Sequence, residues 1–153
     1  MGKAKHDHRQ SGCGVAYGLD IFGDKWTLVI IKDMMLSGKR QFNKFLASPE
    51  KMASNILADR LKRLEEEGVV TKSQDPESEA KFIYALTPKG KELIPLILEI
   101  MLWGSKHAPD PSAPPALLRW VKKDREGVTQ AILDSLKKNE PFLQAHGYMD
   151  AAT

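Results

Sequence analysis

The sequence predicts a mainly α fold carrying one small β-hairpin (α+β), and three observations predict it. Leu57, Leu61 and Leu64 recur at i, i+4 and i+7, the spacing of one buried helical face. Directly after Gly68 the pattern changes to Val69-Val70-Thr71 and then Phe82-Ile83-Tyr84-Ala85-Leu86, residue types that favour strands. Further helical patterns stand on both sides of this pair of strands.

Composition sets the frame. A chain of 153 residues, 42% hydrophobic and 28% charged, fits one ordinary domain whose core needs neither disulfides nor metals. Cys13 is the single cysteine, which excludes an intramolecular disulfide. The longest apolar run, LIPLILEIMLW at 93–103, is interrupted by Glu99 and falls short of the roughly 20 residues that span a bilayer. The N-terminus, MGKAKHDHRQSGCG, lacks an apolar signal core. The expectation is a reduced, cytoplasmic protein with no membrane partner. Net charge is only +3, so any nucleic-acid footprint must be built from placed residues rather than bulk charge. Residues 1–40 hold seven Lys or Arg against four acids, whereas 68–87 hold two against three, so the basic excess lies towards the N-terminus.

The elements follow in order. Residues 1–11 read as a disordered basic tail, in which His6 and His8 lack the partners of a metal site. A short helix from Val15 to Phe22 ends at Gly23. Asp24 is a good N-cap for 25–36, KWTLVIIKDMML, whose apolar residues lie on most sides and place it at the centre of a small domain. Ser37-Gly38 stops it. Arg40 to Leu46 reads as a short helix with Phe42, Phe45 and Leu46 inward, followed by a turn at 47–51 with Pro49. The leucine-striped helix comes next, closed by Gly68. The hairpin has a long polar tip at 73–80 containing Pro76. Thr87 caps a helix from Pro88 to His107, with Pro95 as a kink. Residues 108–115, APDPSAPP, form a proline-rich linker. Leu117, Val121, Val128, Ile132 and Leu136 then mark a helical extension over 116–153.

This order makes residues 40–67 a helix-turn-helix and the following hairpin its wing, within a winged helix-turn-helix domain at 12–107. The second helix of such a unit buries one face to hold its angle and presents a thin polar face to a major groove about 12 Å wide. Ser54, Asn55, Asp59 and Lys62 lie opposite the leucines. Asn can pair adenine bidentately, Lys can bond guanine and Asp can accept from cytosine; Asp59 has the alternative of holding Arg60 or Arg63 in place. Arg40, Lys44, Arg60, Lys72 and Lys81 are candidates for phosphates, which position without specifying. Glu65, Glu66 and Glu67 would repel DNA, so the N-terminal half of the helix does the reading. A polar face opposite leucines also suits any surface helix, and the element order is what favours DNA.

The residues also resemble a family. "IFGDKWTLVIIKDMMLSGKRQFNKF", "SNILADRLKRLEEEGVV" and "YALTPKGKEL" with a later Trp are similar to the HxlR-type transcription regulators, relatives of the MarR group. The motifs are G-D-K-W, G-x-R-x-F, L-x-x-R-L-x-x-L-E-x-x-G-V and Y-x-L-T-x-x-G, within about residues 13–104. The resemblance implies a bacterial, dimeric winged-helix protein on double-stranded DNA with a palindromic operator, a repressor responding to an oxidant or small-molecule inducer, and a nucleoid-associated location. Some members of the family sense oxidants through a cysteine at the position of Cys13. The wing departs from the basic family pattern: its tip carries Asp75, Glu77 and Glu79, leaving Lys72 and Lys81. Residues 109–153 lie beyond the resemblance.

Leu96, Ile100 and Trp103 mark the helix face expected at a homodimer interface, since 93–103 is apolar on more than one side. The alternative is that 117–136 folds back over that face. Cys13 is either a reactive thiol, favoured by the helix start and by Lys3, Lys5 and Arg9, or a small buried hydrophobe. No glycine loop, nucleophile elbow or metal cluster appears, so neither an enzyme nor a cofactor or metal is expected. The reading from a different class is a winged-helix protein-interaction module without specific DNA binding.

Overall fold

A computed structural model describes residues 12–148. The tail at 1–11, with His6, His8, Lys3, Lys5 and Arg9, lies outside the described residues, as does 149–153.

Eleven elements follow one another among the described residues: α1 Gly14–Phe22, α2 Lys25–Leu36, α3 Phe42–Leu46, α4 Ser54–Glu66, β1 Val70–Asp75, β2 Ser78–Leu86, α5 Pro88–Lys91, α6 Ile94–His107, α7 Pro115–Lys123, α8 Arg125–Lys137 and α9 Phe142–Ala145. The architecture is a winged helix-turn-helix, as expected. Its central helix is α2, which touches α1, α4, α6, α8, α9 and β2. Ile30, Ile31, Met34 and Met35 on α2 are all buried. A helix apolar on most sides has to be enclosed in this way.

One polar residue shares that interior. Asp33 is 2% exposed. Its carboxylate accepts from the Ser48 hydroxyl and pairs with Lys39 at 3.6 Å and Lys32 at 3.1 Å. Its backbone carbonyl accepts from Ser37 and Lys39 amides. A buried carboxylate needs such partners, because an unpaired one is strongly penalised. Asp33 thereby fixes the exit of α2 to the α3–α4 turn. Gly38, in that exit, has φ +66°, and a Cβ there would meet the Pro141 backbone at 2.9 Å, so only glycine fits.

Several expectations need correction. Arg40 and Gln41 precede α3 rather than belong to it, because the Arg40 carbonyl accepts from the Tyr84 amide at 2.8 Å and is drawn alongside β2. The hairpin strands are longer and the tip shorter than 73–80. Pairing runs from Val70↔Leu86 to Gln74↔Phe82, then shifts to Asp75↔Ser78. The reason is local: the Asp75 carboxylate accepts from the Glu77 amide at 2.9 Å across Pro76, whose fixed φ suits a tight turn. Its other oxygen accepts from the Gln41 side chain at 3.1 Å. Asp75 is thus a buried turn residue and not a repelling charge at the tip.

The segment 88–107 is two helices, broken at Glu92–Leu93. Pro95 has no N–H for the Lys91 carbonyl and its ring would clash there, so a new helix starts instead of a kinked one. The region 117–136 is likewise two helices. Asp124 leaves helical geometry at φ −147° and accepts from the Gly127 amide at 3.0 Å, capping α8. These helices fold back. Leu117, Val121, Val128 and Ile132 are buried in the same core as Ile94 and Leu98. Phe142 of α9, which the periodicity did not reveal, is fully buried and stacks on Trp120 with ring centres 6.1 Å apart.

The Asp33 cluster generates a prediction. Asp33→Ala should lower stability by about 3 kcal/mol, read as a shift in the urea midpoint, because it leaves the Ser48 hydroxyl without its acceptor and Lys32 and Lys39 without the buried carboxylate they pair with. A loss below 1 kcal/mol would show that the cluster does not hold the α2 exit.

Candidate nucleic-acid interface

Residues that can meet DNA lie on α4, the turn before it and the hairpin. Leu57, Leu61 and Leu64 are each no more than 1% exposed and bind α4 to the core. Ser54, Asn55, Ala58, Asp59 and Lys62 are exposed on the other side. Ala53 at the N-cap supplies no side-chain acceptor, so the first-turn amides of α4 remain available to an anion.

Three cations fix α4 from the side. The Arg60 Nε donates to Asp24 at 2.8 Å and its terminal nitrogen to Asp59 at 2.5 Å. Arg63 donates to the Asp20 carbonyl at 2.7 Å, and Lys89 to the Glu67 carbonyl at 2.8 Å and the Tyr17 hydroxyl at 3.3 Å. A cation at the last turn of α4 offsets the unfavourable acids Glu65, Glu66 and Glu67. Arg60, assigned above to phosphate, is therefore engaged in holding α4 to the start of α2. Asp59 takes the alternative weighed for it and orients Arg60.

Asp24 is the hub of this corner. It accepts from the Trp26 and Thr27 amides at 3.0 and 3.2 Å and from the Thr27 hydroxyl at 2.5 Å, besides Arg60. Partial burial pushes its carboxyl up, but the Thr27 and Arg60 hydrogen bonds with the Arg60 charge outweigh burial and hold it below the usual carboxylate range.

Among the remaining phosphate candidates, Lys44, Lys72 and Lys81 are exposed and Arg40 is half-buried. Lys72 lies over the Phe82 ring, 4.4 Å from its centre. The hairpin beyond Tyr84 is open on both faces, from Thr71 to Gln74 and from Glu79 to Phe82. Two residues escaped the sequence reading. Lys51, exposed in the turn before α4, takes a left-handed φ of 57°, a position where such turns often carry glycine. Phe82, assigned simply to a strand, is 44% exposed on the wing. The pairing register distinguishes its surroundings from those of Tyr84, and no sequence signal does.

Cys13 is exposed and is the N-cap of α1, where its sulfur accepts from the Ala16 amide at 3.5 Å. It is not the buried hydrophobe of the alternative reading. Leu96 is half-buried, while Ile100 and Trp103 are exposed. Among the described residues no cluster of metal-ligating side chains occurs, and no helix is long and apolar enough to cross a membrane.

A buried leucine stripe behind a polar helix face, with a projecting hairpin next to it, defines a DNA-binding regulator of the winged helix-turn-helix class. The family model described as HxlR-like helix-turn-helix matches residues 21–112, and the chain belongs to that family. It is 36% identical over 94 residues to the uncharacterised HTH-type transcriptional regulator YvaP of Bacillus subtilis (strain 168), covering 61% of this chain and 85% of YvaP. Its fold is similar to the crystal structure of PA1607, titled as a transcription factor not yet verified, with TM-score 0.61, 39% identity, and 71% and 76% of the two chains covered. It is also similar to HypR, titled a redox regulator, in the oxidised form, with TM-score 0.57, 27% identity, and 64% and 100% covered. The protein is a transcriptional regulator of the helix-turn-helix type and not an enzyme.

The Asp24 corner yields a pH prediction. A carboxylate held low in the fold contributes stability above its unfolded pKa, and the contribution is lost as pH falls through the folded value. Asp24→Asn keeps an N-cap acceptor but removes the charge facing Arg60. It should cost about 1 kcal/mol at pH 7, and the difference from the parent should begin to shrink below about pH 4 and be lost as pH falls through the lowered folded value. A difference that persists unchanged to pH 3 would assign the effect to packing.

Proposed function

We propose that the protein is a homodimeric repressor that reads a palindromic operator with the exposed N-terminal half of α4. The observation that carries this reading is the split of α4, with three leucines buried and Ser54, Asn55 and Lys62 turned outward. Ser54, Asn55 and Lys62 face the bases, beside Asp59, which holds Arg60. Lys44, Lys72 and Lys81 contact phosphates, joined by Lys51, while Arg40 and Arg60 act mainly through the framework. A two-fold dimer presents two such helices to half-sites about 34–36 Å apart. Val15 and Leu19 on α1 and Ile100 and Trp103 on α6 are exposed apolar residues that support a second copy at this side. The site of action is the cytoplasm, at the nucleoid. The signal is an oxidant acting at exposed Cys13 or a small molecule. The likeness to HypR, titled a redox regulator, supports the former.

The acidic residues Glu77 and Glu79 on the wing favour a second reading, an interaction module that grips a protein. Selection of genomic fragments, followed by salt-titrated anisotropy, separates the two. A regulator enriches a short palindrome and loses affinity steeply with salt, whereas a protein-binding module enriches nothing.

Asn55→Ala should relax base preference at one position per half-site in a randomised-operator profile. Lys81→Ala should weaken all sequences alike and lower the salt slope by about one. An unchanged profile for Asn55→Ala would move the reading face elsewhere. Treatment with peroxide should weaken operator binding by the parent and spare Cys13→Ser; equal losses would exclude Cys13 as the sensor.

A further inference from the structure

Six lysines and arginines are half-buried among the described residues: Lys32, Lys39, Arg40, Arg60, Arg63 and Lys91. Most of them have an acceptor. Lys32 and Lys39 pair with Asp33, Arg60 with Asp24, and Arg63 donates to the Asp20 carbonyl. The side chains of Arg40 and Lys91 have no hydrogen-bond or ion-pair partner among the described residues, and both line one small cleft. A cation drawn partly out of water without a counter-charge is penalised, so two at one place favour an anion between them. The cleft holds about 70 Å³ and lies where the residues before α3, the end of β2 and the end of α5 meet the end of α8. Buried Met34, Tyr84 and Leu86 are among its walls, and such apolar surroundings strengthen a charge interaction made there. Leu136 and Asn139 complete it from beyond the segment shared with the family. No Asp or Glu is among its lining residues, and the third cation there, Lys39, is already paired with Asp33. The Arg40 carbonyl accepts from the Tyr84 amide, which fixes its backbone in the framework and leaves the guanidinium to the cleft.

We propose that this cleft binds a dianionic phosphate group, from inorganic phosphate or a small phosphate monoester. Two unpaired cations match two negative charges. A phosphate monoester carries about 1.5 to 2 near pH 7, whereas a carboxylate or a DNA phosphodiester carries one. The guanidinium fork of Arg40 suits two phosphate oxygens, and Lys91 adds a point charge. The amide of exposed Asn139 can donate to a further oxygen. Size agrees with this chemistry. A water takes about 30 Å³, so the space suits one small anion and not a drug-sized ligand, which needs roughly 300–1,000 Å³. The bound anion joins the base of the wing to the C-terminal extension and stabilises the folded chain, the only form that brings these residues together.

The probe is inorganic phosphate, titrated into the full chain at constant ionic strength and followed by calorimetry and by the unfolding temperature. Binding should saturate at about one phosphate per chain, and acetate or chloride at equal ionic strength should not reproduce it. Arg40→Gln and Lys91→Gln, folded by circular dichroism, should each bind roughly tenfold or more weakly, a change of about 1.4 kcal/mol. Arg40→Lys, which keeps the charge and loses the fork, should fall between Arg40→Gln and the parent. Lys106→Gln, at an exposed lysine outside the cleft, should bind as the parent does. Glycerol 3-phosphate in a second titration separates the two sources, the tighter binder naming the natural one. The assignment is overturned by no saturable binding, by an equal effect of acetate, or by unchanged binding in both Arg40→Gln and Lys91→Gln. It is overturned equally if phosphate fails to bind while Arg40→Gln lowers the salt slope of duplex binding by about one, which would give the guanidinium to the DNA backbone.

Discussion

Asp33 is a carboxylate placed inside the apolar centre of the molecule, and the geometry of the helix-turn-helix follows from how it is satisfied. Burial in a low-dielectric interior obliges it to find donors. The donors come from three places: Lys32 on α2, Lys39 just after it and Ser48 in the turn before α4. Lys32 extends the connection to Glu50 at 2.9 Å. One charge thus ties the exit of the central helix to the approach of α4. Apolar packing alone, being non-directional, would leave that angle less defined.

Helix α4 shows the complementary division. Its leucines and Arg60 face the framework, and its short polar residues face outward. Arg60 illustrates how a cation on a DNA-binding helix can serve the fold first. Its partner Asp24 already caps α2, so the start of α2 and the middle of α4 share one carboxylate. The wing is positioned by backbone and side chains together. The Arg40 carbonyl receives the Tyr84 amide, and the Thr87 hydroxyl donates to the Gly68 carbonyl at 2.6 Å.

The C-terminal helices complete this framework. They bury Leu117, Val128, Ile132 and Phe142 against the same core that carries α2, and Pro141 closes on Gly38. The extension is therefore continuous with the support of the DNA-binding unit. Contact between the extension and the α2 exit also explains why the turn after α2 requires a glycine.

Much of this was legible from local signals. The leucine spacing of α4, the Asp24 cap, the Thr87-Pro88 start and the polar face with Asn55 and Lys62 all depend on residues within a few positions of one another, where helical periodicity and capping chemistry act. What tertiary structure alone decided involves partners far apart in the chain. Ser48 meets Asp33 across 15 residues, Gln41 meets Asp75 across 34 and Arg60 meets Asp24 across 36. These pairings gave Arg60 partners in the framework and turned Asp75 inward, and the Tyr84 amide drew Arg40 out of a helix. Phe142 and the folding back of α7 and α8 belong to the same class, because burial is a property of the assembled core and not of any one segment's pattern.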